Sequence, residues 1–374
     1  MRKVGIMSMQ RIANYGSFLQ AYALKQLIEK VGCNVEFVDY HVGAPVIVEN
    51  ADSKNKVVRK IKKGLETFRY RAPLAHKLSF IRYKQSFAQK YMPLLGIADE
   101  MNYNPTVDCL VIGSDEVFNC IQKNSNVGYS PELFGKNNHA KKLITYAASF
   151  GNTTLVKLEK YKKTDEVGAL LKKFDAISVR DANSGAIVEQ LTGKEPLYNL
   201  DPVLTYDYMN CCDKIPQVQT NEKYLILYAY AGRISNEEAD WISDYAKKKK
   251  LKVYAIGGIQ KCADRFVDCS PFEVLAYFRN AEEVITDTFH GSIFSVITHR
   301  PFTTLIRKSV GNSYGNEEKL SGLLKRLKLA DRMTTKIEDA ENINEKTIDY
   351  AKVDELLKAH REVAKEYLRK NLEG

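Results

Sequence analysis

Short apolar runs alternate with helical patterns along the first half of the chain. The predicted strands are Lys3–Met9, Asn34–Tyr40, Val107–Ile112, Leu143–Ala148 and Ala176–Val179. Apolar residues recur at helical spacing in Ser17–Val31, Leu155–Lys173 and Ala182–Leu191. Strands that alternate with helices in this way are typical of a parallel sheet covered by helices on both faces.

The same pattern starts again after residues 206–223, a polar stretch that contains Pro216 and resembles a linker. Predicted strands and helices then follow one another from Tyr224 to Ile306. We therefore expect an α/β protein with two Rossmann-like, doubly wound domains facing a cleft. The predicted domains are residues 1–205 and 224–344, and a charged helix over 345–374 is able to cross back onto the first domain. Ligands of such folds bind after the carboxyl ends of strands, so residues there are the candidates.

Composition narrows the class of protein. The 374 residues are 44% hydrophobic, as in soluble globular domains, and contain no run near the roughly 18 apolar residues of a membrane span. No apolar signal segment follows Met1, so we expect a cytoplasmic protein. The seven cysteines form no CxxC pair, and Walker A, GxGxxG and DxD motifs are absent. We expect reduced thiols, no metal and no obligatory cofactor.

The net charge of +10 favours an anionic partner. Residues 54–90 form a basic insert of the first predicted domain, with twelve Lys or Arg and one acid, Glu66. Two interpretations stay open: a helix packed on the core with a solvated outer face, or a helix lying on an anionic membrane. Nucleic acid is not expected, because no nucleic-acid-binding module accompanies the charge.

Five segments have residue patterns that an α/β scaffold alone does not require. They are NYGSFLQAYAL (14–24), IGSDEVFN (112–119), YAASFG (146–151), ISVRD (177–181) with LDPVL (200–204), and TDTFHGSIFS (286–295). In this order they resemble the polysaccharide pyruvyl transferase family, over about residues 1–330. The resemblance implies two domains arranged as in GT-B glycosyltransferases. It also implies phosphoenolpyruvate as co-substrate, a sugar or lipid-linked oligosaccharide as acceptor, and a pyruvate ketal as product. Many family sequences have Gln or Asn and Trp where this chain has Glu116 and Phe118, which we expect to affect the choice of acceptor.

His290 is the candidate acid and base, because it follows a predicted strand and histidine exchanges protons near neutral pH. The resemblance also places the functional histidine of the family here. A buried, hydrogen-bonded histidine at a strand–helix corner is the alternative. Asp287 is predicted to orient His290 or to act as a second acid, and capping of the following helix is its alternative.

The donor is expected to bind through cations and backbone N–H groups. Arg180 ends a predicted strand, and the resemblance implies that it binds the donor; an ion pair with Asp181 or an interdomain salt bridge is the alternative. Gly291 and Ser292 are predicted to offer N–H groups to phosphate at a helix start, or else to form a plain cap. Arg307 and Lys308 follow another strand and are further phosphate candidates, one of them being expected to be a solvated loop cation.

Residues after three other predicted strands are predicted to contact the acceptor. This set comprises Asn14, Tyr15, Gly16, Ser17, Ser114, Asn119 and Ser149. Asp115 is predicted to be the base that takes a proton from an acceptor hydroxyl, and hydrogen bonding to the local backbone is the alternative for Asp115 and Asn119. Structural alternatives exist for several of them: Ser17 as a helix N-cap with Gln20 completing a capping box, and Ser149 in tight strand–loop packing.

Two other functions fit the same sequence. The predicted architecture also supports a glycosyltransferase that uses a nucleotide sugar, since fold alone does not determine function. The basic insert is also compatible with a non-catalytic protein that binds membranes or glycans. The expected grouping of His290, Arg180 and Asp115 argues against a non-catalytic protein.

Overall fold

The computed structural model describes residues 1–47, 67–122, 124, 126–307 and 316–373. These residues form two compact units. The first unit contains residues 1–47, 92–207 and 355–373, and the second contains 67–91 and 208–354. Each unit is therefore built from separate stretches of the chain.

Thirteen helices are found in the described part of the chain. In chain order they are α1 (Tyr15–Lys30), α2 (Leu74–Tyr91), α3 (Leu155–Lys160), α4 (Thr164–Leu171), α5 (Ala182–Thr192), α6 (Pro202–Thr205), α7 (Tyr208–Cys211), α8 (Asn236–Lys248), α9 (Pro271–Asn280), α10 (Phe289–Ile297), α11 (Glu317–Arg326), α12 (Ala340–Glu345) and α13 (Tyr350–Leu372). Short 3-10 turns occur at Met92–Leu95, Pro131–Phe134, Ala330–Arg332 and Ile337–Asp339.

The first unit contains a six-stranded parallel sheet. Its strands are β1 (Lys3–Met7), β2 (Asn34–Phe37), β3 (Cys109–Asp115), β4 (Lys142–Ala148), β5 (Ser178–Val179) and β6 (Leu197–Tyr198), in the order β2-β1-β3-β4-β5-β6. In the register of the sheet, Val4 pairs with Val35 on one side and with Cys109 on the other. The central strands are buried nearly throughout, as expected where both faces of a sheet are covered.

The second unit repeats this design. Its strands are β7 (Tyr224–Tyr228), β8 (Lys252–Ile256), β9 (Arg265–Phe266), β10 (Glu283–Thr286), β11 (Phe302–Leu305) and β12 (Met333–Thr334), in the order β12-β11-β10-β7-β8-β9. All neighbouring strands are parallel. The two sheets confirm the predicted α/β class with two doubly wound units.

The basic segment belongs to a different unit from the one predicted. Helix α2 packs in the second unit, where the ring of Phe80 meets that of Phe266 in β9 edge-on, at 5.6 Å between centroids. The assignment of residues 54–90 to the first domain is therefore corrected for the described part, 67–90. Residues 54–66 lie outside the described part.

The terminal helix begins in the second unit and joins the first from Glu355 onward. Within the first unit, the hydroxyl of Tyr367 donates to the carbonyl of Thr145 in β4 at 2.7 Å. Arg361 pairs with Asp207 at 2.8 Å, and Leu368 is fully buried. The terminal helix therefore packs against the first sheet at β4. In the described part of the chain, no helix is long and apolar enough to cross a membrane.

Candidate functional site

In the first unit, the carboxyl end of β3 makes an unusual turn at Asp115, whose φ of 75° is rare for residues other than glycine. The preceding Gly113 also has a positive φ, of 124°, and a Cβ there would lie 2.3 Å from the carbonyl oxygen of Tyr146. Glycine therefore allows β3 to approach β4 closely just before Asp115. Residues held in such sparsely populated conformations are concentrated at functional sites.

Arg180 lies between two carboxylates at this end of the sheet. Its Nη2 is 3.3 Å from Oδ1 of Asp115, and its Nη1 is 3.0 Å from Oδ2 of Asp201. The Arg180 side chain is 4% exposed and that of Asp115 14%, whereas Asp201 is fully buried. Burial lowers the pKa of Arg180, but the carboxylates of Asp115 and Asp201 outweigh burial and raise it overall. The alternative pairing with Asp181 is wrong, because Asp115 and Asp201 are the partners.

Helix α1 holds Asp115 from the other side. The hydroxyl of Ser17 donates to Oδ2 of Asp115 at 3.1 Å, and the side chain of Asn14 caps the helix by accepting from the Ser17 N–H at 2.7 Å. The N-cap is therefore Asn14, and the alternative of Ser17 as N-cap is wrong. Tyr15 and Gly16 are buried in the first turn. Of the predicted acceptor loop, Ser17 is the residue whose side chain bonds to Asp115.

Three other predicted acceptor residues hold the loops around this site. Ser114 is fully buried, and its hydroxyl donates to the carbonyl of Ala147 at 2.9 Å. Ser149 donates to Asp181 at 2.6 Å, and Asn119 donates to Glu116 at 2.9 Å. These bonds support the structural alternative for Ser149. Contact of Asn119 or Ser149 with an acceptor stays a prediction.

In the second unit, Asp287 follows β10 and is fully buried. Its Oδ2 lies 3.7 Å from Nη1 of Arg233, a distance longer than a hydrogen bond. Among the described residues, neither of its carboxylate oxygens has a hydrogen-bond partner. Burial raises the pKa of Asp287, and the charges of Arg233 and Arg307 oppose this rise. Asp287 is therefore a poorly solvated acid next to a partly exposed cation.

His290 is the second residue of α10, so it lies inside the helix that follows β10. Its half-buried ring contacts Phe289 and Phe294, with centroids 5.5 and 6.0 Å away. The N-cap of α10 is Thr288, which corrects the alternative that Asp287 caps this helix. Asp287 and His290 thus lie on either side of Thr288 and Phe289, just after β10.

The N–H groups of Gly291 and Ser292 are used within the helix start. Gly291 N–H donates to Oγ1 of Thr288 at 2.9 Å, and Ser292 N–H donates to the Thr288 carbonyl at 3.3 Å. The fully buried Ser292 hydroxyl shares a hydrogen bond with Thr304. These contacts match the plain-cap alternative, so the prediction that these two N–H groups bind phosphate is corrected.

Arg307 forms a bidentate ion pair with Glu238, with N–O distances of 2.5 and 3.0 Å. Its backbone N–H donates to the side chain of Asn316, whose amide donates to the carbonyl of Asp287. Asn316 therefore links the backbone of Arg307 to that of Asp287. Lys308 lies outside the described residues.

Three residues of these clusters were not predicted: Asp201 as a partner of Arg180, Glu238, and Arg233. Arg233 comes five residues after the end of β7, where its position after a strand was a usable signal. The pairings of Asp201 and Glu238 depend on contacts that span long sequence distances. Among the described residues, no group of three or more His, Cys, Asp or Glu could hold a metal ion.

Comparisons with known proteins give one family. The family described as polysaccharide pyruvyl transferase matches residues 14–309. No curated protein matches the chain.

Many solved structures show a distant likeness. A putative UDP-N-acetylglucosamine 2-epimerase from Listeria monocytogenes is 9% identical, with a TM-score of 0.49, over 98% of this chain and 94% of that one. The MnaA–UDP co-structure from S. aureus is 10% identical, with a TM-score of 0.48, over 100% and 93%. Likenesses at this level say nothing about the substrate.

Proposed function

Because this chain belongs to the polysaccharide pyruvyl transferase family, a family of transferase enzymes, we propose that phosphoenolpyruvate is its donor. The acceptor is a sugar of a cell-surface polysaccharide precursor, free or lipid-linked. Two acceptor hydroxyls add to C2 of the enolpyruvyl group, and the methylene carbon gains a proton to become a methyl group. The C2–O bond to phosphate breaks, and phosphate leaves with the second hydroxyl proton. The product is a pyruvate ketal.

The observation that carries this proposal is the carboxylate of Asp115, which neighbouring side chains keep in one orientation. A general base has to keep its carboxylate aimed at the hydroxyl it deprotonates, and it has to be reachable. Asp115 meets both needs: Arg180 and Ser17 fix its two oxygens, and it keeps 14% of its side chain exposed. We propose that Asp115 takes the proton from an acceptor hydroxyl. Arg180 is proposed to position Asp115, because its guanidinium is already shared between two carboxylates.

The second unit supplies the groups proposed for the donor. His290 is half-buried near the end of β10, and we assign to it the proton that reaches the methylene carbon. Arg233, 35% exposed, is the cation proposed for the donor phosphate or carboxylate. Arg307 is the less accessible alternative because Glu238 already engages its guanidinium.

The test is ketal formation with purified protein. We expect phosphate release that requires both phosphoenolpyruvate and an acceptor from a panel of sugar precursors, with a new methyl signal of the ketal in proton NMR. Replacing His290 with Ala should lower turnover by roughly 100-fold or more, because a positioned acid or base contributes about that much. His139→Ala, the same change at an exposed histidine, is the matched control and should retain activity.

Three outcomes count against the proposal. Unchanged turnover in His290→Ala would remove His290 from the mechanism. Phosphate release that is independent of acceptor would indicate hydrolysis. Thermal stabilisation by nucleotide sugars but not by phosphoenolpyruvate, without ketal product, would favour glycosyl transfer.

A further inference from the structure

Helix α2 has a buried aromatic side. Phe80, Tyr83 and Phe87 recur at spacings of three and four residues and are all buried. Phe80 and Tyr83 pack against Phe266 of β9, with centroid distances of 5.6 and 6.2 Å. This stripe is sufficient to attach the helix to the second unit.

The opposite side of α2 is not the polar surface that a core-packed helix requires. At 3.6 residues per turn, Leu74 and Leu78 lie roughly opposite the aromatic stripe. They are 62% and 45% exposed, and Phe68, which precedes the helix, is 47% exposed. Leu74 and Leu78 are four residues apart and are therefore neighbours on the outer side of the helix. Exposed apolar side chains that lie together often mark an interaction site.

The segment that carries these apolar residues is strongly basic. Residues 67–91 contain six Lys or Arg and no Asp or Glu. Arg69, Arg71 and Arg82 are exposed, and none of them forms an ion pair with another described residue. The lysines differ, since Lys77 donates to the Phe68 carbonyl and Lys84 lies over aromatic rings.

We propose that this surface, formed by Phe68, Arg69, Arg71, Leu74, Leu78 and Arg82 and called here the basic leucine face, binds an anionic phospholipid bilayer. The arginines meet lipid phosphates, and the leucines and Phe68 enter the boundary between headgroups and acyl chains. Charge complementarity selects the bilayer, because the face has no acid that would have to be matched or desolvated. The inference does not depend on the chemistry proposed for the enzyme.

The experiment is co-sedimentation of the full chain with vesicles. Wild-type protein should bind vesicles of 30% phosphatidylglycerol in phosphatidylcholine, should not bind pure phosphatidylcholine, and should be released as salt is raised to about 0.5 M. Arg69→Gln, Arg71→Gln and Arg82→Gln combined should lower the partition coefficient roughly 100-fold. Leu74→Gln with Leu78→Gln should lower it about tenfold.

Matched controls separate the face from general charge and hydrophobicity. Lys325→Gln, Lys328→Gln and Lys336→Gln combined remove three exposed charges from the same unit. Leu94→Gln with Val156→Gln changes two exposed apolar residues of the first unit. Both controls should bind within about twofold of wild type, and circular dichroism with thermal melting should show that all variants are folded.

Equal binding by the arginine variant and wild type, or equal loss in the lysine control, would overturn the proposal. So would wild-type binding that does not distinguish anionic from neutral vesicles. Salt-sensitive capture of an acidic protein, with no vesicle binding, would overturn it in favour of a protein partner.

Discussion

The guanidinium of Arg180 lies between two carboxylates. Its two amino groups are committed to Asp115 and Asp201, and only 4% of the side chain is exposed. With 4% of its side chain exposed, the guanidinium offers little surface to a donor anion. The geometry therefore favours a positioning residue over the donor-binding role implied by the resemblance.

Arg180→Lys tests this distinction. A lysine has a single point charge and cannot bridge two carboxylates with a planar fork, so Asp115 should lose its orientation. We expect kcat to fall by about 10- to 100-fold, with KM for phosphoenolpyruvate changed less than threefold.

Arg11→Lys is the control for Arg180→Lys, since Arg11 also forms a two-point contact with a carboxylate, that of Asp39. It should leave kcat near the wild-type value. A large rise in KM for phosphoenolpyruvate in Arg180→Lys, with kcat preserved, would instead support direct donor binding by Arg180.

At the scale of elements, the start of α10 is the tightest junction near the candidate residues. A Cβ on Gly291 would lie 2.1 Å from Oγ1 of Thr286 and 2.8 Å from Oγ1 of Thr288. Thr286 Oγ1 donates to the Tyr228 carbonyl at 2.7 Å, so it cannot move without breaking a buried hydrogen bond. The glycine is therefore needed for packing of α10 on β10 and β7.

Gly291→Ala should destabilise the second unit by about 1–3 kcal/mol. Gly322→Ala is the matched control: it lies within α11, and a Cβ there has no neighbour within 4 Å. That substitution should be neutral or should stabilise by up to about 1 kcal/mol, because alanine favours helix. Thermal melting of both variants makes the comparison, and equal midpoints would contradict the packing argument.

Strands of four or more residues were predictable from the sequence, whereas the two-residue strands at three of the sheet edges were not. β3, β4 and β10 have apolar residues at their centres, which a sequence pattern detects. β6, β9 and β12 have two residues each, too few for a periodic pattern. The predicted helix Leu155–Lys173 is two helices, α3 and α4, separated by Lys162 with a φ of 55°.

The family and the candidate segments were also predictable, and the family is confirmed. The contacts inside those segments were not. Whether Asn14 or Ser17 caps α1, or Thr288 or Asp287 caps α10, depends on the geometry of a single turn. The partners of Arg180 are Asp115, at the end of β3, and Asp201, the N-cap of α6, so no local pattern identifies them.

At the scale of the whole molecule, each unit has its own sheet and its own buried side chains, and α13 contributes to the first unit late in the sequence. Leu368→Ala should destabilise that unit by about 2–5 kcal/mol, since Leu368 is fully buried. Hydrogen exchange should become faster in β1, β3 and β4 and stay unchanged in β7, β8 and β10.

Val363→Ala, on the same helix but 43% exposed, is the control for Leu368→Ala and should change exchange little. If both sheets lost protection equally in Leu368→Ala, the two units would unfold as one cooperative body. The division into two compact units would then have no thermodynamic counterpart.

The late arrival of α13 has a consequence for synthesis on the ribosome. The first sheet is translated early, but the helix whose Tyr367 bonds to β4 emerges only after every strand of the second unit has been made. Until then, the part of the first sheet that α13 contacts stays exposed in the nascent chain. The second unit can therefore mature before the first, and the order in which the units are completed is the reverse of the order in which they begin.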